Sequence, residues 1–245
     1  KTICPGIVGL ETILANHSAK NIANENARFG ILKNNPISED ATEIAKHPKI
    51  RPDFVLNVTI NAEHKIDKVA GGNLGVHSIL VKHQERVAMC EFDEPYDIVI
   101  CNNGGYPLDL NLYQAVKSMA LGALAVKKGG TIITTNELRD GVGQPDFEEL
   151  LKLSLSPKEI NDKLVSGEMK VRDQWQIQFL CMVLMHAEVI VASPNITKEK
   201  LGNLGLIHTN TVEEALEYAQ KKHGMHASVL VLPNGPQIVP KLCFK

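Results

Sequence analysis

Gln114 and Lys117 are the two side chains whose types and spacing first point to chemistry. Residues three apart on a helix lie on the same side, so this pair can present one amide and one positive charge to a carboxylate. A solvated helix face is the ordinary alternative for any Gln or Lys. The same side of this predicted helix also carries three leucines, Leu110, Leu121 and Leu124. They predict that an apolar surface covers this side of the helix. Another domain could provide it, and the polar pair would then be buried at the interface between the two domains.

His17 is a second candidate, because neutral imidazole binds transition metals such as nickel, copper and zinc. It shares one predicted helical face with Leu10, Ile13 and Leu14. A histidine on such a face is more often a core residue bonded to the backbone. Periodicity alone does not choose between the two interpretations.

Runs of apolar and β-branched residues predict the strands that would position these side chains. The runs are Phe54–Ile60, Asp97–Cys101, Thr131–Thr134, Val189–Ala192 and Ser228–Leu232. Longer helical patterns separate most of them, and this alternation predicts an α/β fold with a largely parallel sheet. The helical stripe that we expect to face the sheet consists of Leu112, Val116, Met119 and Ala123. The glycine-containing turn before Asp109 then falls at the carboxyl ends of the strands, where open α/β sheets bind ligands.

The acidic turn from Glu91 to Pro95 predicts a junction between two α/β domains. Residues 93–223 would form a C-terminal α/β domain with a small, doubly wound and largely parallel sheet. Residues 1–92 and 224–245 would belong together in the other domain, because the end of the chain is rich in proline and glycine. Such a loop-like segment is expected to pack across the first piece.

The composition of the 245 residues is that of an ordinary globular protein. A net charge of −2 argues against a nucleic-acid-binding surface, which needs a basic excess. The longest apolar run, 179–187, is too short to span a bilayer. The five cysteines are scattered and include no C-x-x-C pair, so they predict neither a disulfide framework nor a zinc site. We therefore expect a reduced, cytoplasmic protein with no nucleic-acid or membrane partner.

The segment Asp97–Lys117, DIVICNNGGYPLDLNLYQAVK, resembles the substrate-binding segment of the nickel-pincer-nucleotide lactate racemase family. The shared motif, D-I-V-I-C-x-N-G-G-Y-P-x-D-x-N-x-Y-Q-x-x-K, is long and unlike common α/β loops. The resemblance implies that Tyr113, Gln114 and Lys117 line a substrate site. Trp175 lies in the region where the family has a tryptophan near the active site, and the resemblance places it there too.

The opening KTICPGIVGL, followed downstream by Asn16 and His17, is similar to the family segment G-G-R-K-x-I-x-P-G-I-x-G. In the family, that lysine forms a thioamide bond to a pyridinium mononucleotide, and the histidine binds nickel held in the sulfur–carbon–sulfur pincer. The resemblance therefore implies Lys1 as the cofactor tether and His17 as the nickel ligand. The family's preceding half, absent here, supplies two acid–base histidines, an arginine for the substrate carboxylate and much of the nucleotide site.

The function implied by the resemblance is racemisation or epimerisation of lactate or a related small 2-hydroxy acid, by reversible hydride transfer to the tethered cofactor. The chain as given would be an inactive fragment whose partner is the missing N-terminal half, and oligomer formation is left open. The alternative function is a non-catalytic α/β module that binds a nucleotide or a partner chain. A conventional dehydrogenase is disfavoured, because no complete G-x-G-x-x-G follows a predicted strand.

Overall fold

The computed structural model describes residues 3–61, 63, 65–233 and 235–243, and the chain divides into two compact units. The first unit extends to Met89, and the second begins at Cys90. The predicted junction at the acidic turn 91–95 therefore lies just after the boundary between the units.

The first unit starts with helices α1 (Leu10–Asn16), α2 (Ala19–Ile22) and α3 (Pro36–Lys46). Polar caps explain where two of them begin. The Ser18 hydroxyl accepts a hydrogen bond from the N–H of Asn21 at the start of α2. The Asn35 side chain accepts from two backbone N–H groups at the start of α3. These caps satisfy donors that the first turn of a helix leaves without an intrahelical partner.

A hairpin and a helix follow, namely β1 (Val55–Ile60), β2 (Ile66–Gly72) and α4 (Val76–Ala88). The strands are antiparallel, with Val58 opposite Val69, and α4 packs on both of them. Leu56, Val58 and Ile60 are exposed, whereas the residues between them are half-buried. Because successive side chains of a strand point to opposite faces, one face of the hairpin is apolar and exposed.

After β3 (Met89–Phe92), the second unit forms a five-stranded sheet in which each described pairing is parallel. Its strands are β4 (Tyr96–Cys101), β5 (Val126–Thr135), β6 (Glu188–Ala192), β7 (Ile207–Thr209) and β8 (Val229–Leu232). Their order is β7-β6-β5-β4-β8, so the chain moves outward from β4 in one direction and then returns to its other side. The predicted doubly wound, largely parallel sheet is confirmed.

Helices cover both faces of this sheet. They are α5 (Leu112–Gly122), α6 (Pro145–Leu151), α7 (Pro157–Ser166), α8 (Gln174–His186) and α9 (Val212–His223). One face packs on α9 through a cluster of apolar side chains, Ile98, Ile133, Ile190, Ala215 and Ala219. On the other face, α5 and α8 pack against the strands and each other. Gly122 permits close packing of α5 there, because a Cβ at this position would lie 3.1 Å from Cγ2 of Ile132.

The C-terminal segment belongs to the second unit, which corrects the predicted grouping of 224–245 with 1–92. β8 lies parallel to β4 along the edge of the five-stranded sheet. The Asp97 carboxylate accepts hydrogen bonds from the N–H and the hydroxyl of Ser228, both at 2.8 Å. β9 (Val239–Leu242) then pairs with β3 in a two-stranded sheet. The strand 228–232 was recognisable from its composition, but its pairing partner depends on which sheet edge is open.

No disulfide joins cysteines within the described residues. Burial raises the pKa of the Cys101 and Cys181 thiols to about 12, so both stay protonated. They therefore behave as small apolar core side chains. None of the helices in the described ranges is long and apolar enough to cross a membrane.

Candidate active site

The carboxyl edge of the five-stranded sheet is formed by the connections after β4 and β5, residues 102–111 and 136–144. Backbone hydrogen bonds of 2.8–3.0 Å join the second connection to the first and to the start of α5. Gly143 permits this approach, because its φ is +100° and a Cβ there would lie 2.8 Å from Cγ of Asn111. Only glycine adopts this conformation at low cost and leaves the necessary space.

The first turn of α5 has its backbone N–H groups satisfied within the second unit. The Asn111 side chain caps the helix by accepting from the N–H of Gln114 at 3.0 Å. The N–H groups of Leu112 and Tyr113 donate to the carbonyls of residues 141 and 142 at 2.9 and 3.0 Å. These donors are therefore not available to an anion, and a carboxylate at this edge would be bound by side chains.

Gln114 and Lys117 are in direct contact on α5. The Lys117 ammonium donates to Oε1 of Gln114 at 2.6 Å. Because an ammonium has donors only, the bonded amide atom must be the oxygen, and the Nε2 group of Gln114 remains a donor for another acceptor. The pair thus presents one amide and one charged group side by side.

Part of the apolar cover on α5 comes from the second unit itself. The helix packs against the 3-10 helix Gly235–Gln237 and against β9, in addition to the sheet and α8. Leu121 is only 1% exposed, whereas Lys117 is exposed and Gln114 is half-buried. Part of the expected apolar cover, at Leu121, therefore lies within the second unit, and the burial of Gln114 and Lys117 by another domain stays a prediction. The C-terminal segment packs on the helix and leaves Lys117 open to solvent.

Trp175 and Gln176, at the start of α8, both bond to Tyr113. The Trp175 indole N–H donates to the Tyr113 hydroxyl at 3.2 Å, and the Gln176 amide donates to the Tyr113 carbonyl at 2.6 Å. The Tyr113 ring meets the Phe147 ring of α6 edge-on, with centroids 5.5 Å apart. The structure therefore brings Trp175 to Tyr113, whose neighbours on α5 are Gln114 and Lys117.

The Tyr113 hydroxyl keeps its proton at neutral pH. Burial raises its pKa above the usual value, and the negative charge of Asp173 raises it further. Since the indole of Trp175 already donates to the phenol oxygen, the hydroxyl can donate its own proton to a ligand. The arrangement therefore offers a neutral hydrogen-bond donor on α5 beside the Gln114–Lys117 pair.

A buried polar network beneath this edge was not predicted. The N–H of Asn103 donates to Oδ1 of Asn136 at 2.8 Å, and the Asn136 amide donates to the hydroxyl of Thr134 at 2.7 Å. That hydroxyl lies 2.9 Å from the hydroxyl of Ser118 on α5. The network fixes the ends of β4 and β5 to the helix. Its signal in the sequence is an Asn within two residues of the end of each of two buried strands.

Tyr106 and Arg139 add an exposed aromatic ring and a cation to the same edge. The Arg139 guanidinium lies 5.5 Å from the Tyr106 ring centroid and donates to the Glu137 carboxylate at 2.8 Å. The connection 136–144 therefore both anchors α5 and presents Arg139.

His17 lies in the first unit, directly after α1. It is half-buried, and Leu10 and Leu14 of its predicted stripe are 46% and 37% exposed. This stripe is therefore not a buried core face. Lys1 lies outside the described residues. Within the described ranges, no group of three or more His, Cys, Asp or Glu side chains is placed to hold a metal.

Comparison with known proteins connects the chain to one family. Residues 92–239 match the family described as the lactate racemase C-terminal domain. The chain is 35% identical over 251 residues to the lactate racemase of Thermoanaerobacterium thermosaccharolyticum, covering 98% of this chain and 56% of that protein. It is also 35% identical over 247 residues to the lactate racemase of Lactiplantibacillus plantarum, covering 98% of this chain and 57% of that protein.

Solved structures agree with this relationship. The lactate racemase apoprotein from Thermoanaerobacterium thermosaccharolyticum matches with a TM-score of 0.90 at 34% identity, covering 98% of this chain and 58% of that one. A Thermotoga maritima protein matches with a TM-score of 0.59 at 16% identity, over 85% of this chain and 54% of that one, and shares the fold.

The parallel sheet of the second unit, with the α5 and α8 side chains at its carboxyl edge, is the C-terminal domain of a lactate racemase-type protein. The chain belongs to the lactate racemase family. It spans just over half the length of the curated relatives that it matches.

Proposed function

We propose that this chain is part of an enzyme that racemises or epimerises lactate or a related 2-hydroxy acid. The observation that supports the proposal is the gathering of Tyr113, Gln114, Lys117 and Trp175 on α5 and α8, in a chain of the lactate racemase family. The proposed partner of these residues is the N-terminal half that the family carries, which would supply the acid–base histidines.

Lys117 and Gln114 would bind the substrate carboxylate. Hydrogen bonds from an ammonium to a carboxylate are about twice as strong as neutral ones. The contact of 2.6 Å between the two side chains holds them in one arrangement before a ligand arrives. Since Lys117 is exposed, an anion can reach it without rearrangement of α5.

Tyr113 would orient the oxygen on the reacting carbon. Its neutral hydroxyl accepts from Trp175 and can donate to the substrate hydroxyl. The edge-on contact with Phe147 restricts the ring to one plane. A preorganised donor of this kind lowers the entropic cost of placing the substrate for reaction.

Lys1 and His17 would hold the nickel-pincer nucleotide of the family. Neutral imidazole suits nickel, so the His17 side chain would supply a protein ligand to the metal. His17 is half-buried directly after α1, and no group of three or more His, Cys, Asp or Glu side chains in the described ranges is placed to hold a metal. When bound, the cofactor supplies an electron-poor pyridinium that accepts and returns a hydride.

The reaction has no net oxidation or reduction. The substrate hydroxyl loses its proton to a base while the hydrogen on the same carbon leaves as hydride, which gives a 2-keto acid. Return of the hydride to the opposite face of that carbon, and of the proton to oxygen, gives the other enantiomer. Lys117 and Gln114 would hold the carboxylate through both halves, so the keto acid is retained.

The test is interconversion of L- and D-lactate by the whole protein loaded with its nucleotide, followed by chiral chromatography. Lys117→Met should lower kcat/KM by about 10- to 100-fold, mainly through KM, because one charge-assisted hydrogen bond to the substrate is lost. Lys158→Met is the matched control, since Lys158 is an exposed lysine of α7 paired with Asp162. This control should retain full activity.

His17 has a separate test. His17→Ala should reduce the nickel retained after gel filtration, measured by metal analysis, and nickel retention equal to that of the wild-type protein would remove His17 from this role. A loaded protein that keeps its nickel yet racemises no 2-hydroxy acid would overturn the proposed function. That result would favour the non-catalytic binding module.

A further inference from the structure

We infer that Gln176 is a positioning residue, which orders the candidate site through the main chain of Tyr113. The inference rests on the proposed function, because the residues that it positions are those of the proposed substrate site. Gln176 is 5% exposed, and its amide donates to the Tyr113 carbonyl at 2.6 Å. The two residues are 63 positions apart, so this bond joins α8 to the main chain of the first turn of α5.

The Tyr113 carbonyl oxygen helps to hold the main chain of Lys117 in α5. In a regular α-helix, this oxygen accepts the backbone N–H four residues later, which is that of Lys117. A carbonyl oxygen has two lone pairs, so the Gln176 amide can add a second donor without displacing the helical bond. Gln176 therefore acts on the same oxygen that holds the backbone of Lys117 in place.

Trp175 holds the other end of the same tyrosine, through its bond to the phenol oxygen. Successive residues of α8 thus bond to the main chain and the side chain of Tyr113, and Phe147 packs against its ring. These contacts fix the orientation of the first turn of α5 about the helix axis. That orientation decides where Gln114 and Lys117 point.

The start of α8 has an unusual backbone that accompanies these bonds. Asp173, the residue before the helix, has a φ of +56°, a region that residues other than glycine seldom occupy. Its side chain makes no capping bond to the helix. The conformation is therefore not explained by the helix itself, and the two bonds to Tyr113 from the residues that follow are consistent with a positional role.

The experiment uses Trp175, which is the only tryptophan of the chain, as a local probe. Gln176→Met keeps the size of the buried side chain and removes its donor. Amide hydrogen exchange in the first turn of α5 and at Lys117 should become about five- to tenfold faster, because a hydrogen bond of ordinary strength is lost. The emission of Trp175 should shift to longer wavelength, since its contact with Tyr113 loosens.

Gln178→Met is the matched control. Gln178 is a fully buried glutamine of the same helix, and its amide donates to Asn161 of α7 at 3.4 Å. This variant should leave both the exchange of α5 and the Trp175 emission unchanged. Gln176→Glu is a second variant, which keeps the shape but replaces the donor by an acceptor facing a carbonyl. It should speed exchange at least as much as Gln176→Met.

Three results would overturn the inference. They are unchanged exchange and emission in both Gln176 variants, equal changes in Gln178→Met, or loss of folding in both Gln176 variants while Gln178→Met folds. Neither readout needs substrate or cofactor, so this outcome is separate from failure of the proposed racemase activity. In the loaded whole protein, Gln176→Met should raise KM for lactate more than it lowers kcat.

Discussion

Apolar strand residues are buried in the second unit and exposed in the first. In the second unit, Ile98, Ile132 and Ile133 are fully buried, because helices pack on both faces of the sheet. In the first unit, Leu56 is 69% and Ile60 is 53% exposed, and α4 is the helix that packs on the hairpin. The same alternation of apolar side chains therefore builds a core only where a second layer covers it.

This difference matters for the candidate residues. Tyr113, Gln114 and Lys117 belong to a helix packed between the sheet, α8 and the C-terminal segment. His17 follows a short helix whose leucines are partly exposed. The position of a side chain is fixed more tightly on a packed helix than at an exposed helix end.

Loss of a core side chain in the second unit should have the largest effect on stability. Ile133→Ala should lower the free energy of unfolding by about 3 kcal/mol, because the transfer energy of the removed atoms is lost and a cavity remains. Urea unfolding followed by the emission of Trp175 measures this for the second unit. A loss below about 1 kcal/mol would contradict the comparison.

Gly143→Ala should have the next largest effect, about 2 kcal/mol, because it adds backbone strain and a Cβ close to Asn111. Gly141→Ala is the control, since Gly141 also has a positive φ of +63° but has open space around its Cβ position. The control should cost about 1 kcal/mol from the backbone alone. Equal losses in the two variants, by the same unfolding assay, would remove the role assigned to the contact with Asn111.

Asp97 should make the second unit sensitive to acid. A hydrogen bond from Lys127, followed by those from Ser228, lowers the pKa of the Asp97 carboxyl well below its usual range. Because the folded-state pKa is depressed, the stabilisation is present above the unfolded value of about 3.9 and is lost as the pH falls below it. Asp97→Asn should therefore cost about 1 kcal/mol at pH 7 and flatten the loss of stability below about pH 4.

The control for this prediction is Asp162→Asn, which removes one partner of an exposed ion pair on α7. It should change stability by less than about 0.5 kcal/mol at pH 7. Urea unfolding of both variants at a series of pH values provides the measurement. An acid profile of Asp97→Asn identical to that of the wild-type protein would show that Asp97 does not carry this dependence.

The smallest effect is expected on the exposed face of the hairpin. Leu56→Thr should change stability by less than about 0.5 kcal/mol, because the leucine is already exposed and threonine suits a strand. Hydrogen exchange of β1 and β2, measured by mass spectrometry, reports on this unit, which has no tryptophan. A marked rise in exchange would show that the leucine contributes to packing.

Much of the second unit could be predicted from local patterns. Each of the predicted strands in this unit falls within or overlaps an observed one, and the stripe of α5 is buried where expected, at Leu112, Val116 and Met119. These features follow from periodicity, because the pitch of a helix and the alternation of a strand determine which side chains share a face. The same rule placed Gln114 and Lys117 side by side.

The partners of these faces could not be predicted in the same way. The apolar side of α5 called for a cover, but nothing local distinguished a separate domain from the segment Gly235–Leu242. Gln176 and Tyr113 are 63 positions apart, and no periodic pattern in the sequence indicates that they are in contact. Polar residues after buried strands, such as Asn103 and Asn136, were the available signal for the network at the sheet edge.

The sequence by itself determined the α/β class, the apolar side of each main element, the relationship to the lactate racemases and the shared helical side of Gln114 and Lys117. Only the tertiary structure decided that β8 pairs with β4, that the C-terminal segment packs on α5, and that α8 holds Tyr113 at both ends. The physical reason is that the backbone geometry of a few neighbouring residues determines which side chains share a face of a helix or strand. The choice of a partner depends on which distant surfaces meet when the chain folds.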